Sequence, residues 1–219
     1  MNRDSQIRSV RDRINNIAKK NKQPIIAVVT DFLIERIVAR LIQDATLAKH
    51  LVFKGGYVGL KCYESPRYTV DLDAIAHKKG QKEIIEITKT SMQRDMDDLV
   101  WFDFEKEIDL TTQSEYGGTR LQYRGGIGDK PGEIKRAQII KIDIGVGDPV
   151  TPAPKMSTLE GKLGGEPISW QVYPVETIAS EKIHCLISRG SANSRSKDIF
   201  DLSFYLPKCD PDVLTSSRH

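Results

Sequence analysis

The sequence predicts an α+β fold in which a mixed sheet is flanked by helices and followed by a helical C-terminal lobe. Apolar residues recur at helical spacing over most of the first 44 residues, which predicts helices there. Short segments with strand patterns, among them the strictly alternating residues 139–144, dominate the middle of the chain. Helical spacing returns from Pro174 onward. We therefore divide the chain into a core with N-terminal helices, residues 1–154, and a short helical lobe, residues 155–219.

Composition places the chain among ordinary globular proteins. Of its 219 residues, 39% are hydrophobic and 29% are charged, which excludes a wholly disordered chain. The formal net charge of +3 is compatible with a polyanionic partner but is far below that of a dedicated nucleic-acid-coating protein. Basic residues are concentrated in the first helical segment, so this end of the chain is markedly positive.

The cysteines and the hydropathy pattern exclude further classes. Cys62, Cys185 and Cys209 are widely spaced, so they indicate neither a disulfide framework nor a zinc site. No stretch reaches the about 18 apolar residues of a membrane span. The charged N-terminus also lacks the apolar centre of a signal peptide. We therefore expect reduced thiols, no membrane association and a cytoplasmic location.

The predicted elements follow one another in a simple order. Ile7, Val10, Ile14 and Ile17 mark an amphipathic first helix. The other predicted elements are a helix over 30–44, a strand over 51–53, a short helix through Tyr63, a strand over 68–76, a helix over 84–99, strands over 101–104, 119–124 and 139–144, and a helix from Val175 that Gly190 ends. This order places a short helix between two strands that carry polar motifs.

The strand over 68–76 carries two carboxylates. Asp71 and Asp73 lie two residues apart, so both side chains point to one face while Val70, Leu72 and Ala74 point to the core. Two repelling carboxylates at this separation suit Mg²⁺, a hard ion that takes oxygen ligands and bridges to substrate phosphates. Solvated acids or salt bridges explain the same pattern, so this motif alone leaves both interpretations open.

A pair of glycines precedes the carboxylate strand. Gly55 and Gly56 stand where the strand over 51–53 turns into the short helix. Bare backbone N–H groups at such a helix start can hold a triphosphate, and Lys54 adds a positive charge beside them. A Gly-Gly pair by itself is also common in ordinary turns. Combined with the Asp-x-Asp strand, the pair describes a phosphate-binding turn that faces a metal site.

The alternating strand over 139–144 supplies a third carboxylate. Lys141 and Asp143 share one face of it, opposite the isoleucines. If this strand neighbours the strand over 68–76, Asp143 approaches Asp71 and Asp73, and three acids suit two metal ions. An ion pair between Asp143 and Lys141 on a partly solvated strand is the alternative.

The C-terminal lobe carries another set of charged side chains. Glu181 and Lys182 lie within the helix that begins at Val175, whereas Asp198 and Asp201 share a face of the following helix at i, i+3. The residue pattern alone describes Lys182 as an ordinary solvated lysine on a helix surface. Any other role for Lys182 has to be inferred from a resemblance to a known protein family.

Several short motifs occur in a fixed order along the chain, over about residues 30–202. They are FKGG at 53–56, RYTVDLD at 67–73, KIDIG at 141–145, GDP at 147–149, ASEK at 179–182, Arg189, and KDIFDL at 197–202. In this order they resemble the AbiEii/AbiGii family, the nucleotidyltransferase toxins of abortive-infection and toxin–antitoxin systems. Members of that family usually continue through further helices, whereas this sequence ends at His219. The resemblance therefore bears more on the chemistry than on the docking of an acceptor.

The resemblance implies a polymerase-β-like nucleotidyltransferase core. It also implies a cleft that binds a nucleoside triphosphate together with two Mg²⁺ ions. It implies that Asp71 is the principal catalytic metal ligand, that Asp73 is its companion, and that Thr69 supports the site. Asp143 completes the metal set. Lys182 would hold triphosphate oxygens, and Asp198 would be an essential acid. The expected nucleotide-binding residues are Lys54, Gly55, Gly56, Thr69, Lys182, Arg189 and Lys197.

Three functions follow from these observations. The first is a toxin that transfers a nucleotide to RNA, notably to the acceptor end of tRNA, and that an antitoxin neutralises. The second keeps the same metal site but transfers the nucleotide to a small molecule or a protein. The third is an inactive module that binds a nucleotide or an antitoxin, against which the intact set of acids argues.

Overall fold

The computed structural model describes residues 2–110, 117–146, 150–189 and 196–216. Within these residues, helices α1 to α8 span Arg3–Lys20, Ile25–Ile42, Ala45–His50, Gly55–Cys62, Gln81–Met92, Val175–Arg189, Ser196–Tyr205 and Pro211–Ser216. Strands β1 to β7 span Leu51–Lys54, Asp71–Ala76, Val100–Asp109, Gly118–Ile127, Gln138–Val146, Lys155–Leu159 and Ile168–Val172. The predicted motif at 147–149 and the predicted helix stop at Gly190 lie outside the described residues.

One mixed sheet organises the described residues. Its strand order is β3-β4-β5-β2-β1-β7-β6. Strand β2 pairs parallel to β5 and antiparallel to β1, which in turn pairs parallel to β7. The remaining neighbours, β3–β4, β4–β5 and β6–β7, are antiparallel. The predicted α+β class, a mixed sheet with flanking helices, is therefore confirmed.

The core lies between one face of the sheet and helix α2. Leu72, Leu121 and Ile142, from three adjacent strands, are completely buried on this face. Leu33 and Ile37 of α2 are also completely buried, because α2 is covered by the sheet as well as by neighbouring helices. Even the charged residues Asp31, Glu35 and Arg40 of this helix are buried, so α2 lacks the exposed polar stripe of a surface helix. The polar side chains of the central strands lie on the opposite face of the sheet.

The segment after residue 154 differs from the prediction. Residues 155–172 are not helical, because β6 and β7 form a hairpin that extends the sheet. Its alternating side chains bury Trp170 against Phe53 of β1, with ring centroids 5.1 Å apart. The helical part of the chain thus begins at Val175, as the apolar spacing indicates, and not at residue 155.

Smaller differences concern the ends of elements. Strand β2 begins at Asp71, so Val70 is not a core residue but is 52% exposed. Helix α3 was not predicted, although Asp44 caps it by accepting hydrogen bonds from the backbone N–H groups of Thr46 and Leu47. A six-residue helix shows too little periodicity to be recognised from sequence.

The short helix α4 is held against the C-terminal helices. A Cβ atom added at Gly59 of α4 would lie 1.9 Å from Tyr205 Oη of α7, so only glycine permits this approach. At the end of α4, Lys61 Nζ contacts Asp31 Oδ1 of α2 at 2.7 Å. Helix α4 is therefore fixed on two sides, which fixes the position of its first residues.

The cysteines and the helix hydropathy can be compared with the sequence predictions. Cys62, Cys185 and Cys209 are all free thiols, as expected from their spacing. In the ranges given above, we find no helix with the length and apolarity needed to cross a bilayer.

Candidate active site

Two of the predicted metal ligands share one face of β2. Asp71 and Asp73 are half-buried, whereas Leu72 between them is completely buried in the core. In the parallel pairing with β5, Asp73 is the register partner of Asp143, and Asp71 is the register partner of Lys141. The two strands are therefore direct neighbours, and the structure brings all three predicted acids to the same face of the sheet.

Asp143 has an unforeseen partner on the next strand. Arg120 of β4 is its register partner, and the guanidinium donates from Nε to Oδ1 and from Nη2 to Oδ2, both at 2.7 Å. In the described part of the chain, the ion pair with Lys141, which was the alternative to metal binding, is not formed, and Asp143 pairs with Arg120 instead. Among the described residues, no three His, Cys, Asp or Glu side chains are grouped as metal ligands. Arg120 holds both oxygens of Asp143, which is consistent with the absence of such a ligand group among them.

Asp71 and Asp73 have features that suit a divalent cation. Asp71 Oδ1 is buried and has no hydrogen-bond partner within the described part of the chain. Lys141 Nζ lies 3.8 Å from it, which is too far for a hydrogen bond. Carboxylate oxygens are the ligands that Mg²⁺ prefers, and a buried oxygen without a partner is costly unless a ligand reaches it. The donor type and this orphaned oxygen both suit a hard cation.

The pKa of Asp73 is raised above its ordinary value. Burial raises the pKa of Asp73 to about 7, and the nearby carboxylate of Asp143 adds to the effect. Lys54, its register partner on β1, opposes this increase without cancelling it. A positive ligand on this face would favour the ionised form of Asp73.

The Gly-Gly pair begins α4 directly beside Asp73. Gly55 has a φ of +69°, in the left-handed region, and a Cβ atom there would lie 2.1 Å from Asp73 Oδ2. Gly56 follows, and a Cβ atom there would lie 3.2 Å from Thr69 Oγ1. The start of α4, with its free backbone N–H groups, therefore adjoins the carboxylates.

The other predicted phosphate ligands of the core have defined contacts. Lys54 Nζ contacts Glu181 Oε1 of α6 at 2.6 Å and lies 5.2 Å from the centre of the Tyr173 ring. Thr69 Oγ1 donates a hydrogen bond to the carbonyl oxygen of Asp71 at 3.1 Å, so it supports the start of β2. Lys54 thus joins the carboxylate strands to the C-terminal helices.

Lys182 is not the solvated lysine that its sequence pattern suggests. Its Nζ contacts Asp198 Oδ1 at 2.9 Å and Asp201 Oδ2 at 2.8 Å, and its side chain is 13% exposed. Burial lowers the pKa of Lys182, but the hydrogen bonds that its ammonium donates to the carboxylates of Asp201 and Asp198 outweigh burial and leave this pKa above its ordinary 10.5. Lys182 and Asp198, both predicted site residues, are therefore in direct contact.

Two residues of this cluster were quoted in motifs but not assigned to the site. Asp201 is completely buried, and Arg67 donates to both its oxygens, at 2.9 and 2.8 Å. The Arg67 guanidinium also lies near the start of α4, since a Cβ atom at Gly56 would be 3.3 Å from Nη2. The position of Asp201 three residues after Asp198 was the signal for its role. Arg120, in contrast, belongs to no motif.

The remaining predicted nucleotide ligands lie near the ends of two helices. Lys197 is exposed in the first turn of α7. Arg189 is the last residue of α6, and its side chain lies outside the described part of the structure.

The chain is similar to several solved structures. JHP933 from Helicobacter pylori has 19% identity and a TM-score of 0.49, with 82% of this chain and 67% of that chain covered. An antigenic nucleotidyltransferase-like protein from Paracoccidioides brasiliensis has 18% identity and a TM-score of 0.49, with 83% and 77% covered. The antibiotic-resistance factor ANT(2'')-Ia has 15% identity and a TM-score of 0.48, with 86% and 88% covered. A comparison with curated proteins found no match.

The mixed sheet with its flanking helices is consistent with a nucleotidyltransferase fold, and a family match shows that the chain is an enzyme of this class. A family model described as "Nucleotidyl transferase AbiEii toxin, Type IV TA system" matches residues 36–215. The chain therefore belongs to the AbiEii family of nucleotidyltransferase toxins, and the resemblance seen in the sequence motifs is confirmed.

Proposed function

We propose that this chain transfers a nucleoside monophosphate from a nucleoside triphosphate to RNA, with the acceptor end of tRNA as its target. The observation that carries the proposal is the position of Asp71 and Asp73 beside the start of α4 at Gly55. A metal-binding face and a phosphate-binding helix start thus adjoin, as transfer of a phosphoryl-linked group requires.

Asp71 and Asp73 would hold Mg²⁺, and Asp143 would join them in binding a second ion. When bound, such a pair of ions supplies activation of the attacking hydroxyl and neutralisation of the leaving pyrophosphate. Oδ1 of Asp71, which is buried and has no hydrogen-bond partner among the described residues, supports this assignment. The raised pKa of Asp73 supports it as well. Burial is the main cause of this increase and the Asp143 carboxylate adds to it, and a bound cation would favour the ionised form.

The triphosphate would lie between α4 and α6. The backbone N–H groups of Gly55 and Gly56 and the ammonium of Lys54 would orient its oxygens from one side. Lys182 would bind them from the other side, where its contacts with Asp198 and Asp201 already fix its position. Thr69 would steady β2, while Arg189 and Lys197 would contribute charge from the ends of their helices. Asp198 would be the essential acid of the helical lobe.

Membership in a type IV toxin–antitoxin family supports two further parts of the proposal. The activity would arrest growth when expressed alone, in the manner of a phage-defence toxin, and a cognate antitoxin would neutralise it. Because RNA is the proposed acceptor, the protein would act in the cytoplasm. The second candidate acceptor, a small molecule or a protein, shares the same site and is separated from RNA only by experiment.

The acceptor is identified by labelling a lysate. Purified protein, Mg²⁺ and each α-³²P-labelled nucleoside triphosphate in turn are added to a bacterial lysate, which is then divided between RNase and protease. We expect a labelled product that RNase removes and protease leaves intact. Label that protease removes, or that appears only in small molecules, would contradict RNA as the acceptor and support a protein or a small molecule instead.

A further inference from the structure

The contact between Arg120 and Asp143 occupies a predicted metal ligand. Both donor bonds are 2.7 Å long, and the pair joins register partners on adjacent strands β4 and β5. Such a two-bond arrangement uses both carboxylate oxygens and matches the planar guanidinium. The side chains of Arg120 and Asp143 are 24% and 19% exposed, so the pair is neither sealed in the core nor freely solvated. A small ligand from solution can therefore reach it.

A similar contact further along β4 serves as a comparison. Arg124 lies on the same face as Arg120, because the two residues are four apart on one strand. Its Nε and Nη2 both donate to Glu105 Oε1, at 3.1 and 2.9 Å. Glu105 lies on edge strand β3, away from β2. Strand β4 thus carries one Arg–carboxylate pair beside Asp71 and Asp73, formed by Arg120, and one away from them, formed by Arg124.

We infer that Arg120 competes with the divalent cation for Asp143, so that the third acid becomes a metal ligand only when the guanidinium moves away. This inference rests on the metal site of the proposed function. A guanidinium that bonds to both oxygens uses part of the carboxylate's lone pairs and offsets its negative charge. A metal ion needs the same oxygens and carries the same sign of charge, so each weakens binding of the other. Arg120 is thereby a residue of the site that sets its affinity for metal.

Displacement of Arg120 has a second consequence. Its side chain would remain beside the acids, on the strand next to Asp143. A guanidinium without its carboxylate partner binds phosphate oxygens in the same two-bond manner. Arg120 therefore becomes available to an anionic substrate only after the cation has bound.

Direct measurement of Mn²⁺ binding tests the competition. Mn²⁺ has the oxygen-ligand preference of Mg²⁺, and free Mn²⁺ is quantified by electron paramagnetic resonance without any turnover. The full chain is titrated without nucleotide and compared with Arg120→Gln, with the matched control Arg124→Gln and with Asp71→Asn. Thermal unfolding of each variant confirms that it is folded. Removal of the competitor should tighten Mn²⁺ binding by about three- to tenfold, the range that a partly exposed ion pair permits.

The results distinguish failure of the competition between Arg120 and the cation from failure of the proposed metal site. Tighter binding by Arg120→Gln, with Arg124→Gln within about twofold of the natural chain, supports the competition. So does binding by Arg120→Gln when the natural chain binds none. Binding by the natural chain that Asp71→Asn abolishes, but that Arg120→Gln leaves unchanged or weakens, would retain the metal site and overturn the inference. Absence of Mn²⁺ binding by both the natural chain and Arg120→Gln would overturn the inference and remove support for the metal site.

Discussion

Arg67 and Asp201 form a two-bond ion pair between residues that are 134 positions apart in sequence. Asp201 is completely buried in α7, whereas Arg67 lies in the loop before β2, next to the start of α4. The same carboxylate contacts Lys182 of α6 at 2.8 Å. The buried Asp201 carboxylate therefore links α6 and α7 to the loop before β2, which lies next to Gly56 at the start of α4. Its contact with Lys182 helps to fix the position of that lysine.

Substitution of this acid should destabilise the whole fold. In Asp201→Asn, Arg67 and Lys182 would lose the carboxylate that both of them contact, and their two positive charges would remain close together. Removing one member of a buried ion pair costs about 3 kcal/mol, and we expect a loss of this size in the free energy of unfolding. Urea denaturation followed by circular dichroism measures it.

A surface ion pair provides the control for this experiment. Lys208 Nζ contacts Glu64 Oε2 at 2.8 Å, but the Glu64 side chain is 89% exposed. Because solvent screens such an exposed pair, Glu64→Gln should leave the free energy of unfolding almost unchanged. Equal effects of Glu64→Gln and Asp201→Asn would contradict a special role for the buried cluster.

The effect of Asp201→Asn should depend on pH. Burial raises the pKa of Asp201, but hydrogen bonds from Arg67 and Lys182 outweigh burial, so this pKa lies below its ordinary 3.8. A lowered pKa in the folded state contributes stability that is present above the unfolded pKa and disappears as pH falls through the folded pKa. The stability difference between the natural chain and Asp201→Asn should therefore be largest near pH 7 and shrink below about pH 4. A difference that grows on acidification would contradict this account.

Gly59 should tolerate no side chain although it lies within a helix. Alanine is favoured over glycine in helices by about 1 kcal/mol, which taken alone predicts stabilisation. A Cβ atom at this position would instead meet Tyr205 Oη at 1.9 Å, so Gly59→Ala should lower stability by about 1–3 kcal/mol. Thermal unfolding measures the change, and the double variant with Tyr205→Phe, which lacks the clashing oxygen, should recover part of it. No recovery would indicate a different cause.

Gly55 should be needed for activity more than for stability. Its left-handed backbone and the 2.1 Å approach of Asp73 Oδ2 both exclude a side chain, so Gly55→Ala should displace the carboxylate. Misplacement of a reacting group by about 1 Å costs about a hundredfold in rate, and we expect a loss of that order in nucleotide transfer. Gly80→Ala is the control, because a Cβ atom at Gly80, which precedes α5, would have nothing within 4 Å. Full activity of Gly55→Ala would contradict the geometry described.

The sequence predicts local elements and motif faces well where one residue pattern determines them. The alternation around Asp143 predicts a strand with its isoleucines buried, and Ile140, Ile142 and Ile144 are completely buried. The facing of Asp71 and Asp73 follows from the same period of two. In contrast, the hairpin formed by β6 and β7 was missed because its short strands lack an uninterrupted pattern, and they depend on pairing with β1 for burial.

Contacts between distant segments were beyond prediction from local patterns. The partner of Asp143 is Arg120 only because β4 lies next to β5 in a particular register, and no motif encodes that register. Likewise, Lys182 is buried because α6 and α7 pack together, whereas its own helix pattern is that of a surface residue. Residue types at a site can thus be read from a sequence, but their pairing requires the fold.

The central claim is that the chain transfers a nucleotide to RNA through the carboxylates of β2. The most direct measurement incubates purified protein with purified tRNA, Mg²⁺ and each α-³²P-labelled nucleoside triphosphate, and follows label on a denaturing gel. We predict labelled tRNA with at least one nucleotide, and loss of that label in folded Asp71→Asn protein, which keeps the size of the side chain but lacks its charge. No labelled tRNA with any nucleotide, or labelling that persists in Asp71→Asn, would contradict the account.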